Sequence, residues 1–359
     1  MAEISKRRET LEIDKELEEI IAKQRASVKV FGVGGAGGNT LTRIKEIGVK
    51  DTECIALNTD AQDLLYTYAD SKILIGEELT HGLGAGSNPK VGEEAAKESE
   101  HAIKQKIQGA DIVFITCGLG GGTGTGAAPI VAEIAKRLGA LTIGVTTLPF
   151  TIEGQKRFEN AMSGLERLEE SVDTLIVIPN DKLLELAPDL PLHTAFKISD
   201  EILTNAVKGI TELVTKAGLV NLDLADVKAV MSDGGVAMIG VGESDSANRA
   251  EEAIEKAIEN PLLDVDISNA SGALINITGG LDLTLDEAKR VIETVGKRID
   301  SNARLIWGAQ LSEDMGKTVR VLIVVTGVDS PQIVGKGEMK RRNKENMEDS
   351  LGIDFFEEG

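Results

Sequence analysis

Five glycines in seven residues, set between an apolar run and a helix-forming stretch, constrain this chain more than any other feature. The segment is Gly120-Gly121-Gly122-Thr123-Gly124-Thr125-Gly126. Glycine costs backbone entropy wherever it is not needed. A flexible surface loop is the plainer reading, but this loop joins the strand at 111–116 directly to the helix at 127–138. Glycine at a strand-to-helix junction lets backbone N–H groups approach an anion, and the helix N-terminus favours negative charge. The two threonines add hydroxyl donors suited to phosphate oxygens.

Two further loops have the same setting. Gly32-Val33-Gly34-Gly35-Ala36-Gly37-Gly38-Asn39 follows the strand at 27–31 and opens a helix. Its Gly32, Gly34 and Gly37 also fit the G-x-G-x-x-G of a dinucleotide site, which keeps an NAD(P)-dependent enzyme as the alternative. Gly82-Leu83-Gly84-Ala85-Gly86-Ser87-Asn88-Pro89 follows the strand at 73–75. Three such loops at the carboxyl ends of neighbouring strands suit one polyphosphate. No P-loop is present: before Gly316-Lys317-Thr318 the leading position is Leu311, not glycine. Backbone amides, rather than a P-loop lysine, are therefore expected to hold the ligand.

Strands at 27–31, 54–57, 73–75, 111–116, 140–146 and 174–178 alternate with helices such as 91–107 and 127–138. That alternation predicts an α/β fold with a doubly wound parallel sheet. With 3% aromatic residues, the strands are built from Val, Ile and Leu, as in Val321-Leu322-Ile323-Val324-Val325. Such runs read as strands buried on both faces. A long helix is predicted over 194–217, capped by Thr194 and closed by Gly218. Beyond it lies a smaller α+β unit with strands at 236–241, 273–277, 304–311 and 320–326. Thr284 and Glu287 form a capping-box pattern for a helix at 285–298. The length of 359 residues fits this division. The expected parts are an N-terminal helical extension (1–25), a nucleotide-binding domain (26–193), a central helix (194–218), the α+β domain (219–328), and a linker with a C-terminal peptide (329–359).

The net charge of −20 argues against general nucleic-acid binding. Residues 1–24 are charged, with an amphipathic helical pattern at 9–24, and do not read as a signal peptide. No run approaches the ~18 apolar residues of a membrane span. A cytoplasmic protein without direct membrane insertion is expected. Cys54 and Cys117 read as small buried hydrophobes. His81, His101 and His193 have no apparent catalytic partner in the sequence.

The heptapeptide at 120–126 resembles the signature loop of the tubulin/FtsZ family of GTPases, and the likeness extends over about residues 26–328. Gly34-Gly35-Ala36-Gly37-Gly38-Asn39 is similar to the family's first phosphate loop, and Asn58-Thr59-Asp60 to its second. Ala85-Gly86-Ser87 is similar to its γ-phosphate loop, and Thr147-Leu148-Pro149-Phe150 with Glu153 and Arg157 to its ribose segment. Asn180, Phe196 and Asp200 resemble its guanine-reading positions. Asp200 stands where many bacterial members have Asn, and a carboxylate still accepts from the N1–H and amino groups of guanine. The resemblance implies GTP or GDP as ligand and Mg²⁺ held through the phosphates, with Asp60 nearby. On spacing alone, Glu153 and Arg157 are as well read as a surface ion pair.

Asn221-Leu222-Asp223-Leu224-Ala225-Asp226 resembles the family's catalytic loop. Asp223 and Asp226 lie three apart, so both can face one side of a turn; a solvated patch with a helix cap is the plainer reading of an isolated D-x-x-D. The central helix separates them from Phe196 and Asp200 by about 30–35 Å. They are expected to reach the γ-phosphate of a neighbouring subunit, giving a head-to-tail homopolymer whose hydrolysis sites are shared. The family is implied to form the division ring at mid-cell. A member that binds nucleotide without turnover is the third reading, and the two aspartates speak against it. The apolar tip Ile353, Phe355 and Phe356 is expected either to dock on a membrane-tethering adaptor or to pack back on the chain's own second domain.

Overall fold

The computed structural model describes residues 26–49, 51–186, 191–215, 219–220, 222–263 and 266–328. The amphipathic segment 9–24, Gly218 and the C-terminal tip lie outside the described residues. The first half runs β1 (Val28–Val33), α1 (Gly34–Ile47), β2 (Thr52–Asn58), α2 (Ala61–Tyr66), β3 (Ser71–Leu74), α3 (Glu77–Thr80), α4 (Pro89–Glu98), α5 (Glu100–Ile107), β4 (Ile112–Gly118), α6 (Thr123–Arg137), β5 (Leu141–Leu148), α7 (Gln155–Ser171), β6 (Thr174–Pro179) and α8 (Asn180–Leu186). The long helix α9 (Leu192–Thr215) follows. The second half has α10 (Leu224–Met231), β7 (Gly235–Ser244), α11 (Arg249–Ile258), β8 (Gly272–Gly279), α12 (Leu285–Gly296), β9 (Arg304–Leu311) and β10 (Val319–Thr326).

All ten strands join one sheet in the order β3-β2-β1-β4-β5-β6-β7-β10-β8-β9. The first six are parallel. Their order reverses between β1 and β4, and ligands of doubly wound sheets bind in the crevice at that switch point. A ladder of three residue pairs, Thr174–Gly235 to Ile176–Ala237, connects this half to the second. There β10 runs antiparallel between β7 and β8, and β9 lies parallel to β8.

Successive side chains of each strand point to opposite faces, so the sheet carries two cores. On one face Phe31, Ile55 and Ile115 pack with Val131 and Ala135 of α6, Leu165 of α7, and Ile254 and Val291 of α11 and α12. On the other, Val30, Ala56 and Phe114 pack with Leu41 and Ile44 of α1 and with Leu203, Val207 and Ile210 of α9. Each buried Val, Leu, Ile or Phe among them contributes about 1.5–3 kcal/mol. Helix α9 also spans to the second half. A Cβ on Gly209 would lie 2.8 Å from the Leu322 side chain, and Asn276 Nδ2 donates to the Gly209 carbonyl at 3.0 Å. The helix is therefore fixed to both halves.

Some local expectations are corrected. The loop expected at 32–39 is largely absorbed: β1 reaches Val33, Gly34 turns the chain with φ +72°, and α1 begins there. The helix expected at 91–107 is broken at Ser99, whose Oγ accepts from the Gly76 N–H. Thr194 sits inside the first turn of α9 rather than capping it, because Pro191 already accepts from the Thr194 and Ala195 N–H groups. The capping box at Thr284 is present, with the Thr284 hydroxyl accepting from the Glu287 N–H.

Candidate functional site

Helices α1 and α6 start side by side at the switch point. Among the described residues, no side chain caps either start. The first-turn N–H groups of a helix lack intrahelical partners, so here they are open to an anion. Side chains close some other helices, with Asp60 capping α2, Asn88 capping α4 and Thr284 capping α12, while α3, α5, α7 and α11 also start without one. What sets α1 and α6 apart is that their starts meet at one cleft. The two uncapped starts touch. A Cβ on Gly34 would lie 3.0 Å from the Gly124 nitrogen, and one on Gly124 would lie 2.8 Å from the Gly118 carbonyl oxygen. Only glycine permits that approach. Side-chain hydroxyls lock the loops: Thr59 Oγ1 and Thr123 Oγ1 are 2.7 Å apart, and the Gly120 N–H donates to Thr125 Oγ1 at 2.8 Å. Asn160 of α7 ties Ser87 to Gly120 through their carbonyl oxygens.

These starts form the floor of a cleft of about 390 Å³. Its walls include Gly34, Gly35, Ala36 and Asn39 from the first loop, and Gly121, Gly122, Thr123 and Gly124 from the signature loop. Glu153, Arg157, Asn180, Phe196 and Asp200 complete it. Other residues singled out in the sequence stand behind these walls. Gly37 packs α1 against Thr116, Gly38 abuts Thr67, and a Cβ on Gly126 would collide with the Pro89 carbonyl of α4. Thr125 fastens its own loop from within instead of offering its hydroxyl to the cleft. Ala85 is buried against Gly122, and Gly86 sits beside it with φ +57°; from this loop Ser87 reaches the cleft. Ser199 also lines the cleft and was missed in the sequence, where it is only a polar residue beside Asp200.

The far end of the cleft suits a flat, polar ring. Phe196 is 40% exposed, and its ring meets the buried Phe150 edge to face at 5.2 Å. Asp200 follows one turn later. Burial pushes its carboxyl up to about 6, against the opposing pull of the Thr40 hydroxyl and the Arg43 charge. Thr40 Oγ1 lies 3.4 Å from Asp200 Oδ1. Glu153 and Arg157 do form an ion pair, at 2.6 Å. Glu153 is also bound by the Phe150 N–H at 2.8 Å, so the pair is fixed at the rim beside the cleft.

Asp223 and Asp226 lie elsewhere. Asp223 is the N-cap of α10: its Oδ1 accepts from the Asp226 N–H at 2.8 Å, and Asp226 Oδ2 accepts from the Asp223 N–H at 3.3 Å. Both are exposed. The preceding Leu219 donates its N–H to the Ala309 carbonyl, which anchors the segment to β9. Asn221 lies outside the described residues. The 24-residue α9 separates this loop from the cleft by about 30 Å.

Asp60 Oδ1 accepts from the Gln62 and Asp63 N–H groups as the cap of α2. Its Oδ2 faces Gly84 and keeps acceptor capacity. Among the described residues no group of three His, Cys, Asp or Glu is placed to hold a metal. This donor set fits a Mg²⁺ carried mainly by phosphates and water. Burial raises the Cys54 thiol to about 11 and Cys117 to about 12, so neither is a nucleophile near neutrality. His101 pairs with Gln105, while His81 ends α3; the His193 side chain is outside the described residues. A second cleft of about 510 Å³, between α9 and the second half of the sheet, is lined by Asn276, Gln310 and Arg320 and carries no phosphate loop among the described residues.

Comparison with known proteins agrees with this fold. The family model described as tubulin/FtsZ family, GTPase domain, matches residues 27–188, and that described as FtsZ family, C-terminal domain, matches 235–329. The chain is 60% identical over 346 residues to cell division protein FtsZ 1 of Thermococcus kodakarensis, covering 96% of this chain and 92% of that one. It is 61% identical over 317 residues to cell division protein FtsZ 1 of Methanocaldococcus jannaschii, covering 88% and 87%. The solved empty FtsZ dimer of M. jannaschii superposes with a TM-score of 0.84 at 61% identity, covering 88% of this chain and 92% of that one. CetZ2 of Haloferax volcanii, solved as a GTPγS-bound protofilament, shares the fold at a TM-score of 0.75 and 21% identity, over 90% and 99%. The chain belongs to the tubulin/FtsZ family and carries its GTPase domain.

Proposed function

We propose that this GTPase binds GTP in the cleft above α1 and α6, assembles head to tail, and hydrolyses each GTP with carboxylates from the next subunit. The observation that carries this reading is the separation of two half-sites. One end of α9 has uncapped helix starts and a base pocket; the other presents Asp223 and Asp226 to solvent. A nucleotide is too short to bridge about 30 Å, whereas a stacked copy brings the halves together. That contact joins two different surfaces and propagates as an open filament.

Within the cleft, the first-turn amides of α1 and α6 and the Thr123 hydroxyl receive phosphate oxygens. Phe196 stacks on the purine, and Asp200 accepts from the N1–H and amino donors of guanine. Mg²⁺, when bound, neutralises charge on the β- and γ-phosphates. Asp223 and Asp226 of the incoming subunit orient the attacking water. Their α10 cap fixes one oxygen of each carboxylate and leaves the other for that water. Exposed apolar residues favour association at both ends: Leu83 and Ile152 beside the nucleotide loops, Leu219 beside the catalytic loop.

The domain division at 26–193, 194–218 and 219–328 belongs to this reading; the two family matches fall on either side of α9. The archaeal relatives are named cell division proteins, which supports a role in the division ring at mid-cell, in the cytoplasm. No helix among the described residues is long and apolar enough to cross a membrane. Tethering then falls to an adaptor bound by the tip at Ile353, Phe355 and Phe356. Sedimentation with GTP against GDP tests assembly: GTP is expected to drive the protein into the pellet. Equal pelleting with both nucleotides, or none with either, contradicts the reading.

A further inference from the structure

Resting on guanine-nucleotide binding in this cleft, we infer that Ser199 is a positioning residue that fixes the amide of Asn180, so that the nucleoside meets a hydrogen-bond donor there and not an acceptor. Asn180 follows β6 and opens α8; Ser199 lies on α9, three residues after Phe196 and one before Asp200. Both side chains are 4% exposed, and both line the cleft. Ser199 Oγ donates to Asn180 Oδ1 at 2.9 Å.

A primary amide offers one carbonyl acceptor and two N–H donors, and a half-turn about its last torsion exchanges them. The hydroxyl proton holds the carbonyl side toward α9. The Nδ2 group is then the part of Asn180 turned to the cleft. Asp200, the neighbouring polar group, offers acceptors and no donor when ionised. The pocket thus presents one donor and one acceptor on adjacent elements, a pattern that matches a nucleoside carrying both kinds of group. A released amide would spend part of its time with its carbonyl toward the ligand, beside the Asp200 carboxylate.

The fixed amide is also bound to base stacking. Phe196, Ser199 and Asp200 occupy one face of α9 at i, i+3 and i+4. A single helix therefore supplies the stacking ring, the acceptor and the group that orients the donor. Ser199 also lines the cleft, so an effect transmitted through Asn180 is told from a direct one by whether it survives removal of the Asn180 side chain.

A double-mutant cycle on the full chain tests this, read by displacement of a fluorescent GDP analogue, with melting curves to confirm folding. Ser199→Ala is expected to weaken GDP about three- to tenfold and raise KM for GTP with kcat little changed. In the Asn180→Ala background the same substitution is expected to cost nothing further. Asn180→Asp, which keeps an acceptor for Ser199 but turns an acceptor to the ligand, is expected to bind GDP more weakly than Ser199→Ala does. An additive loss in the cycle, an unchanged affinity in Ser199→Ala, or wild-type affinity in Asn180→Asp overturns the assignment. Wild-type protein that fails to bind GDP contradicts the parent reading instead, so the two failures are distinct.

Discussion

Helices α6 and α10 begin in opposite ways. At α6 the cap position is Gly122, no side chain closes the turn, and the amides face a cleft. At α10 the cap position is Asp223, Asp226 closes the box, and two carboxylates face solvent. The backbone is the same in both, with its partial positive charge at the N-terminus. One start carries no side-chain cap, which suits an anion. The other fills itself with acids and presents their remaining oxygens outward. In the function proposed above each is half of a phosphate-hydrolysing site, and α9 holds them apart.

The largest effect is expected from breaking the α10 half. Asp223→Ala should lower kcat about 10²–10⁴-fold while GTP binding and assembly persist, giving long-lived filaments. Losing the cap alone costs about 1 kcal/mol of stability. Asp223→Asn sharpens the comparison: asparagine caps as well as aspartate, so stability should be retained while turnover still falls. Full turnover in the Asn variant would assign Asp223 to the cap and not to chemistry.

At the α6 half, Asp200→Ala should erase guanine selectivity. Two hydrogen bonds to a charged acceptor are worth roughly 1.5–3 kcal/mol each, so GTP affinity should fall about a hundredfold or more, to a level near that for ATP. Competition binding with both nucleotides reads this directly. Retained selectivity would move the base reader elsewhere.

A smaller and graded effect should follow pH. Burial pushes the Asp200 carboxyl up to about 6. Guanine donors favour the ionised form, so GDP affinity should be flat above that value and fall as pH drops through it. Folding moves the other way. The folded carboxyl takes its proton more readily than an unfolded one at 3.8, so this group's contribution to stability rises as pH falls from about 6 toward 4. Titration of GDP affinity in Asp200→Asn should lose this inflection.

The legible parts of the molecule were those written in local chemistry. The glycine-rich segments announce strand-to-helix junctions, and β4 does run into α6 there; the apolar runs announce buried strands. Thr284 and Glu287 announce a cap, and the box is there. Less legible was which members of a loop face the ligand. Thr123 and Thr125 look equivalent in sequence, yet the start of α6 turns one to the cleft and the other to the Gly120 N–H. Gly37 and Gly126 read as phosphate contacts, and the fold gives them a packing role the spacing did not announce: a Cβ on either would collide with the Thr116 or Pro89 carbonyl oxygen. Ser199 carried no signal, since its partner Asn180 is 19 residues away on another helix. Helix α11 was not anticipated, although its Arg249 is bound by Asp282 and Glu287 and draws the Glu287 carboxyl down to about 2. Pairing across elements of this kind depends on tertiary arrangement, which local spacing does not encode.

The shared site is tested most directly by mixing two variants. Asp223→Ala keeps the cleft and lacks the carboxylate. Gly124→Val keeps the carboxylates but places a side chain where even a Cβ would lie 2.8 Å from the Gly118 carbonyl, so it should not bind GTP. Each alone should be nearly inactive. Under conditions where the two co-assemble, the mixture should recover GTPase activity, rising with total protein concentration. No recovery in co-assembled filaments, or activity independent of protein concentration, would contradict a site completed by the next subunit.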